Sequence, residues 1–173
     1  MESTKGFTLI ELMVTLSVAA ILIAVAVPSF GSLISNNRIS SSVSAFNQTL
    51  NLARSEAVRR GTVVSVCRSS DQITCTNTPW DRGWLVWVDP DNDRVLGNAE
   101  VTIRVQGALS GVITMVQAPA VAPFSYNPNG FLNINPGDAL IFEVCDSARA
   151  GETGRQIRVP AVGKNSSNDL NCA

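Results

Sequence analysis

The segment Lys5–Phe30, KGFTLIELMVTLSVAAILIAVAVPSF, decides how the rest of the chain is read. Between Phe7 and Val27 it carries one charge, Glu11. At about 1.5 Å of rise per residue, a helix of that length crosses the roughly 30 Å hydrocarbon core of a bilayer. A secretory signal would have a shorter apolar core followed by a small-residue cleavage site. Here the short polar leader MESTKG, with Lys5, precedes the apolar run instead, so the pattern is a transmembrane helix retained in the mature chain. An ionised carboxylate facing lipid is costly, so Glu11 either finds a partner or snorkels to the interface near the helix end.

Beyond Phe30 the chain changes character. Pro28 and Gly31 mark an expected kink or local melting, because proline lacks a backbone donor and clashes with the preceding turn. The helix is then expected to resume. Val43, Phe46, Leu50, Ala53 and Ala57 recur at alternating spacings of three and four and form one apolar stripe. Arg38, Asn47, Gln48, Asn51, Arg54 and Ser55 supply the polar side, so this half is amphipathic and should pack on a sheet. VRRG suits a helix end: Arg59 and Arg60 meet the negative end of the dipole and Gly61 caps it.

From Thr62 onward the runs TVVSVCR, WLVWVD, VTIRV, VITMV, ALIFEVC and RQIRVPAV are short, β-rich and broken by Gly, Pro, Asn and Asp. FSYNPNGFLN reads as a hairpin turning at Asn127 to Gly130. GKNSSNDLN near the C-terminus reads as a polar tail. The fold class is therefore α+β, one long helix of about residues 7 to 60 and an antiparallel β head.

Composition narrows the function. The 173 residues hold one globular domain beyond the apolar segment, and 45 % hydrophobic content is enough for a core. The formal net charge is −1, with Lys5 and Lys164 the only lysines, so any basic site must be local. There is no histidine, which removes the commonest general base and metal ligand and any Ser-His-Asp or Cys-His arrangement. No enzymatic activity, cofactor or metal site is assigned. Cys67, Cys75, Cys145 and Cys172 form an even set without CxxC spacing and read as two disulfides of an exported head. Three pairings are open; proximity in sequence favours Cys67 with Cys75 and Cys145 with Cys172. Four buried thiols in a cytosolic protein is the alternative.

KGFTLIEL resembles the processing motif of type IV pilins and type II secretion pseudopilins. The resemblance implies that a prepilin peptidase cuts between Gly6 and Phe7 and methylates the new amine of Phe7. Gly6, without a side chain, suits close approach of the scissile bond to an active site. It also implies a partner for Glu11, the Phe7 amine of a neighbouring subunit, which would set axial register in a filament. LNLARSEAVRRG, WDRGWLVWVDPDNDRVLGNAEVTIRV, FSYNPNGFLN and VCD…GRQIRVPAVGK…C further resemble minor pilins and minor pseudopilins of the GspH/FimT-like family.

That resemblance implies a type IV pilin-like fold: leader 1–6, transmembrane and assembly helix 7–28, and head 29–173, with an amphipathic helix at 29–60 and a β head at 62–173. It implies a minor pilin that primes a type IV pilus or sits at its tip. Its partners would be other minor and major pilins, the peptidase and the inner membrane. The head would lie in the periplasm and later outside the cell on the pilus. A type II secretion minor pseudopilin shares the same physics. Some relatives bind DNA for uptake through a C-terminal glycine-arginine motif, which makes Arg149, Arg155, Arg158 and Lys164 candidate phosphate contacts. Asp146, Glu152 and Asp169 dilute that charge and no aromatic residue interleaves.

Two local features stay open. DPDNDRVLGNAE puts Asp89, Asp91 and Asp93 at the first, third and fifth positions and Glu100 at the twelfth, the spacing of a calcium loop. Arg94 occupies the sixth position, where glycine is wanted, and the flanks read as strands, so a solvated turn is the preferred reading. Trp84 and Trp87 are expected in the core, whereas Trp80, beside Pro79 and Asp81, is either core or an exposed contact residue.

Overall fold

The computed structural model describes residues 6–148, 151, 153–162 and 165–172, and only the backbone of residues 25–29. The chain divides into two units, residues 1–37 and 38–173. One helix, α1 (Leu9–Arg60), contributes to both. It runs unbroken through Pro28 and Gly31, so the local melting expected there does not occur. Proline removes one rung of the hydrogen-bond ladder, and the neighbouring rungs carry the helix past it. Among the described residues no helix is long and apolar enough to cross a membrane. The span expected at Phe7–Val27 includes residues 25–27, whose side chains lie outside the described residues.

The second unit begins close to Ile39, the first apolar residue of α1 in its core. From there Val43, Phe46, Leu50, Ala53 and Ala57 are all buried, as their spacing predicts. The helix stops where expected. Gly61 takes φ +64°, and the N–H of Thr62 donates to the carbonyl of Ala57, the closing bond of a Schellman end. Glu56 binds both Arg59 and Arg60 at 2.6 Å, and the Arg59 guanidinium first, then that of Arg60, holds its carboxyl below the usual range.

The β head is two four-stranded antiparallel sheets. One is ordered β3 (Thr102–Gln106), β2 (Trp84–Val88), β1 (Val64–Arg68) and β5 (Phe124–Tyr126). The other is β4 (Ile113–Ala118), β6 (Ala139–Asp146), β7 (Thr153–Pro160) and β8 (Ser166–Asn171). The hairpin expected in FSYNPNGFLN is present in reduced form. Gly130 donates to the carbonyl of Asn127 across the turn, and a single bridge pairs Tyr126 with Leu132. Ser166–Asn171 is a strand, not the polar tail expected from its composition. Its side chains are mostly exposed because β8 lies at a sheet edge, and its backbone pairs with β7 from Thr153↔Asn171 to Arg158↔Ser166.

The inner faces of both sheets meet the apolar stripe of α1. Trp84, Val86 and Phe124 of the first sheet join Met115, Phe142 and Ile157 of the second in one cluster with Phe46 and Leu50. The Trp84 indole N–H donates to Thr49 Oγ1 at 3.0 Å, which satisfies a polar group inside that cluster. Strand β2 is buried on both faces, which explains why WLVWV shows no polar alternation. Leu85 and Trp87 point away from the main core and form a second cluster with Cys67, packed under Cys75 and Leu96. Trp80 also belongs to the core. It is 2 % exposed, opens a 3-10 turn at Trp80–Arg82, and its indole donates to Gln117 Oε1 at 2.8 Å.

Candidate assembly site

The N-terminal end of α1 concentrates the residues that the sequence assigns to processing and assembly. Gly6 has open space around it and Phe7 is exposed. Leu9, Ile10, Leu12, Met13, Val14 and Leu16 are all exposed. Successive residues turn by about 100°, so apolar surface faces outward all round the helix. Such a surface calls for lipid or other apolar helices around it. The hydroxyls within it turn inward: Thr15 donates to the carbonyl of Leu12 at 2.9 Å and Ser17 to that of Met13 at 2.8 Å. An apolar surrounding would therefore leave neither hydroxyl without an acceptor.

Glu11 is not bare. The backbone N–H and the hydroxyl of Thr8 each donate to Glu11 Oε2 at 3.1 Å, and the N–H of Glu11 returns a bond to Thr8 Oγ1 at 3.3 Å. That reciprocal pair is a capping box, Thr8 as N-cap and Glu11 three residues on. The T-x-x-E spacing was visible in the sequence, and Thr8 is a partner of Glu11 that reading by charge alone missed. The box anchors the carboxylate at the N–H of Thr8, one residue after the Phe7 nitrogen that cleavage following Gly6 would free as an amine. It leaves Oε1 without a bond to Thr8, available to a second donor.

In the head, Cys67 bonds Cys75 and Cys145 bonds Cys172. The first bridge closes a loop organised by Asp71. The Thr74 hydroxyl, then the backbone N–H groups of Thr74 and Ile73, hold the Asp71 carboxyl well below the usual carboxylate range. The second bridge explains a glycine. A Cβ on Gly154 would collide with Cys172 Sγ and meet the Val144 carbonyl at 2.6 Å, so the disulfide packs directly against β7 at a residue with no side chain. Gly154→Ala is expected to lower head stability by about 1–3 kcal/mol through overpacking. Thermal melting of the oxidised chain checks this, and an unchanged midpoint would contradict it.

The candidate phosphate contacts do not assemble into one patch among the described residues. Arg155 is ion-paired with Asp169, its cross-strand neighbour on β8. Arg158 lies three positions further along the same strand. Strand side chains alternate, so an odd separation puts the two arginines on opposite faces of β7. Arg149 and Lys164 lie outside the described residues. The glycine and arginine of GR at 154 and 155 are thus used for packing and for pairing within the head.

The acidic turn after β2 is drawn together. Carboxylate oxygens of Asp89, Asp91 and Asp93 lie within 4.8 Å of one another, with Asp89 buried and the other two exposed. Glu100 is not in that group; its Oε2 accepts from the Gly97 N–H at 2.7 Å. Arg94, the residue that seemed to disfavour a tight loop, adopts φ +61°.

This architecture is similar to two crystal structures of the type IV minor pilin FimU from Pseudomonas aeruginosa strain PAO1. The first aligns with a TM-score of 0.58 at 22 % identity, over 77 % of this chain and 90 % of that one. The second aligns with a TM-score of 0.55 at 22 % identity, over 75 % and 91 %. The likeness establishes the fold, an α+β pilin fold built on a long N-terminal helix. The prokaryotic N-terminal methylation motif matches residues 1–27. The model of the type II transport protein GspH matches residues 42–163. That match takes in most of the head, and the chain belongs to the GspH family, pilin-like structural subunits rather than enzymes.

Proposed function

We propose that the protein is a minor pilin, held in the inner membrane by its apolar stem until it is extracted into a type IV pilus, where it primes assembly or sits at the tip. In this reading residues 1–6 are a leader that a prepilin peptidase removes, Phe7 becomes the methylated N-terminus, and residues 7–28 are the membrane and assembly helix. The head waits in the periplasm and then faces the cell exterior, where it meets other minor and major pilins. The observation that carries the reading is the apolar N-terminal helix, exposed on every side and bearing one acid beside the cleavage position. Such a surface is poorly tolerated in water and well suited to a bundle of like helices.

A second reading, a minor pseudopilin of type II secretion, is favoured by the description of the matching family. The two fold likenesses are to pilus subunits, which favours the first reading. DNA uptake is the weakest, because Arg155 is already engaged by Asp169.

Mass spectrometry of sheared surface filaments tests the proposal. The expected species begins at Phe7, carries one added methyl group and lacks four hydrogens through its two disulfides. A chain found only in the envelope, whose deletion abolishes secretion and leaves pili intact, would favour the pseudopilin. An intact leader on the working protein would overturn both.

A further inference from the structure

We propose that the loop following β2 binds one calcium ion through the carboxylates of Asp89, Asp91 and Asp93. Their oxygens already lie within 4.8 Å of one another. Proximity of acids alone would be ordinary, since exposed acidic turns are common on proteins.

What sets this one apart is Asp89. The residue is 0 % exposed, and its Oδ1 is buried with no hydrogen-bond partner among the described residues. Its Oδ2 is fixed by the hydroxyl of Ser65, itself buried on β1, at 2.5 Å, and by the backbone N–H of Arg94 at 3.2 Å. A carboxylate held in a rigid pose, with one oxygen removed from water and unmatched, is short of a positive partner. No side chain among the described residues supplies one. Arg94 turns its guanidinium to the carbonyl of Asn133, Nη2 to O at 3.3 Å, and neither Asp91 nor Asp93 is in an ion pair among the described residues. A cation at the cluster would satisfy Asp89 Oδ1 and relieve the repulsion among three like charges.

The donor set selects the ion. All three groups are hard oxygen ligands, the sequence has no histidine, and every cysteine is in a disulfide, so zinc and copper are disfavoured. One buried and two exposed carboxylates on a loop leave room for water and backbone carbonyls, which suits the larger and more adaptable coordination of calcium over the strict octahedron of magnesium. The ion would also tie the loop to the back of the first sheet, where Leu96 packs against Leu85 and Trp87. Trp87 lies two residues before Asp89 and therefore serves as an optical reporter.

The test uses the full chain, purified in detergent and stripped with chelator, titrated with calcium chloride by calorimetry and by tryptophan fluorescence. One equivalent should bind with a dissociation constant on the order of 10⁻⁴–10⁻³ M or tighter, the range of extracellular calcium modules. Asp91→Asn and Asp93→Asn should each weaken binding by roughly tenfold as a ligand charge is lost. Both positions are exposed, so the calcium-free melting temperature should stay unchanged and loss of binding cannot be blamed on unfolding. Absence of saturation up to about 10 mM calcium, an order of magnitude beyond the expected range, would overturn the proposal. So would undiminished binding by the double variant, or equal binding of magnesium chloride.

Discussion

Glu11→Ala is expected to leave the head folded and to reduce incorporation into filaments by at least roughly tenfold, the equivalent of about 1.4 kcal/mol or more of lost docking energy. In the isolated subunit Thr8 occupies one carboxylate oxygen of Glu11, and the helix surface around it is apolar. Surrounded by other stems, a charge in that position is worth far more with an ammonium partner than without one, because the medium screens it poorly. The capping box supplies a competing explanation, since alanine also removes an N-terminal cap, and Glu11→Gln separates the two. Glutamine keeps the capping bonds and abolishes the charge. If the docking charge is what matters, Glu11→Gln fails in assembly as Glu11→Ala does, with the melting temperature of the head unchanged in both. Normal piliation by the glutamine variant would reduce Glu11 to a helix cap.

The second large effect lies in the core. Phe46→Ala is expected to cost the head about 3–5 kcal/mol, because it opens a cavity at the point where α1 meets both sheets. The Phe46 ring centroid lies 5.1 Å from that of Trp84 in the first sheet, 4.6 Å from that of Phe142 in the second, and 5.6 Å from that of Trp80 between them. The contacts with Trp80 and Trp84 are edge-to-face, so alanine removes directed aromatic contacts along with buried area. At about 2–4 °C per kcal/mol for a unit of this size, the oxidised chain in detergent should melt roughly 10 °C lower. Phe46→Leu, which fills part of the space, should lose less than half as much. A drop of only about 1 °C for the alanine variant would mean that the rings close over the gap, and that Phe46 is not the junction its contacts suggest.

Several elements were legible because one local rule governed each. The stripe from Val43 to Ala57 has helical spacing and is buried. The end at Arg60 and Gly61 has the glycine that a left-handed residue needs. Six apolar runs became β1, β2, β3, β4, β6 and β7 within a residue or two of their expected ends. The disulfides join the cysteines closest in sequence, as the loops they close make easiest.

The residues that misled, stayed open or carried no signal are those whose role is set by a distant neighbour. SSNDLN has no strand pattern, yet backbone pairing with β7 and the Cys145–Cys172 bridge after it hold it as an edge strand. Trp80, left open between core and contact residue, is buried by Phe46, Phe124 and Phe142, contributed by three separate elements. Arg155, a candidate phosphate contact by resemblance, is paired with an aspartate on β8, and Gly154 beside it makes room for a disulfide. Ser65 carries no signal of its own in the strand run TVVSVCR, yet its hydroxyl holds Asp89 in place.

By itself, then, the amino-acid order determined the apolar stem with its single acid, the amphipathic half of the helix and the run of strands, and it favoured the cysteine pairing that forms. Each of these follows from periodicity or proximity along the chain. Only the tertiary structure decided that the strands divide into two sheets, that β5 joins β1 across more than fifty residues, and that Asp89 is buried beside two exposed acids. Those outcomes depend on which surfaces fit together once the chain has collapsed, a free-energy balance among residues far apart in sequence that leaves no local pattern to read.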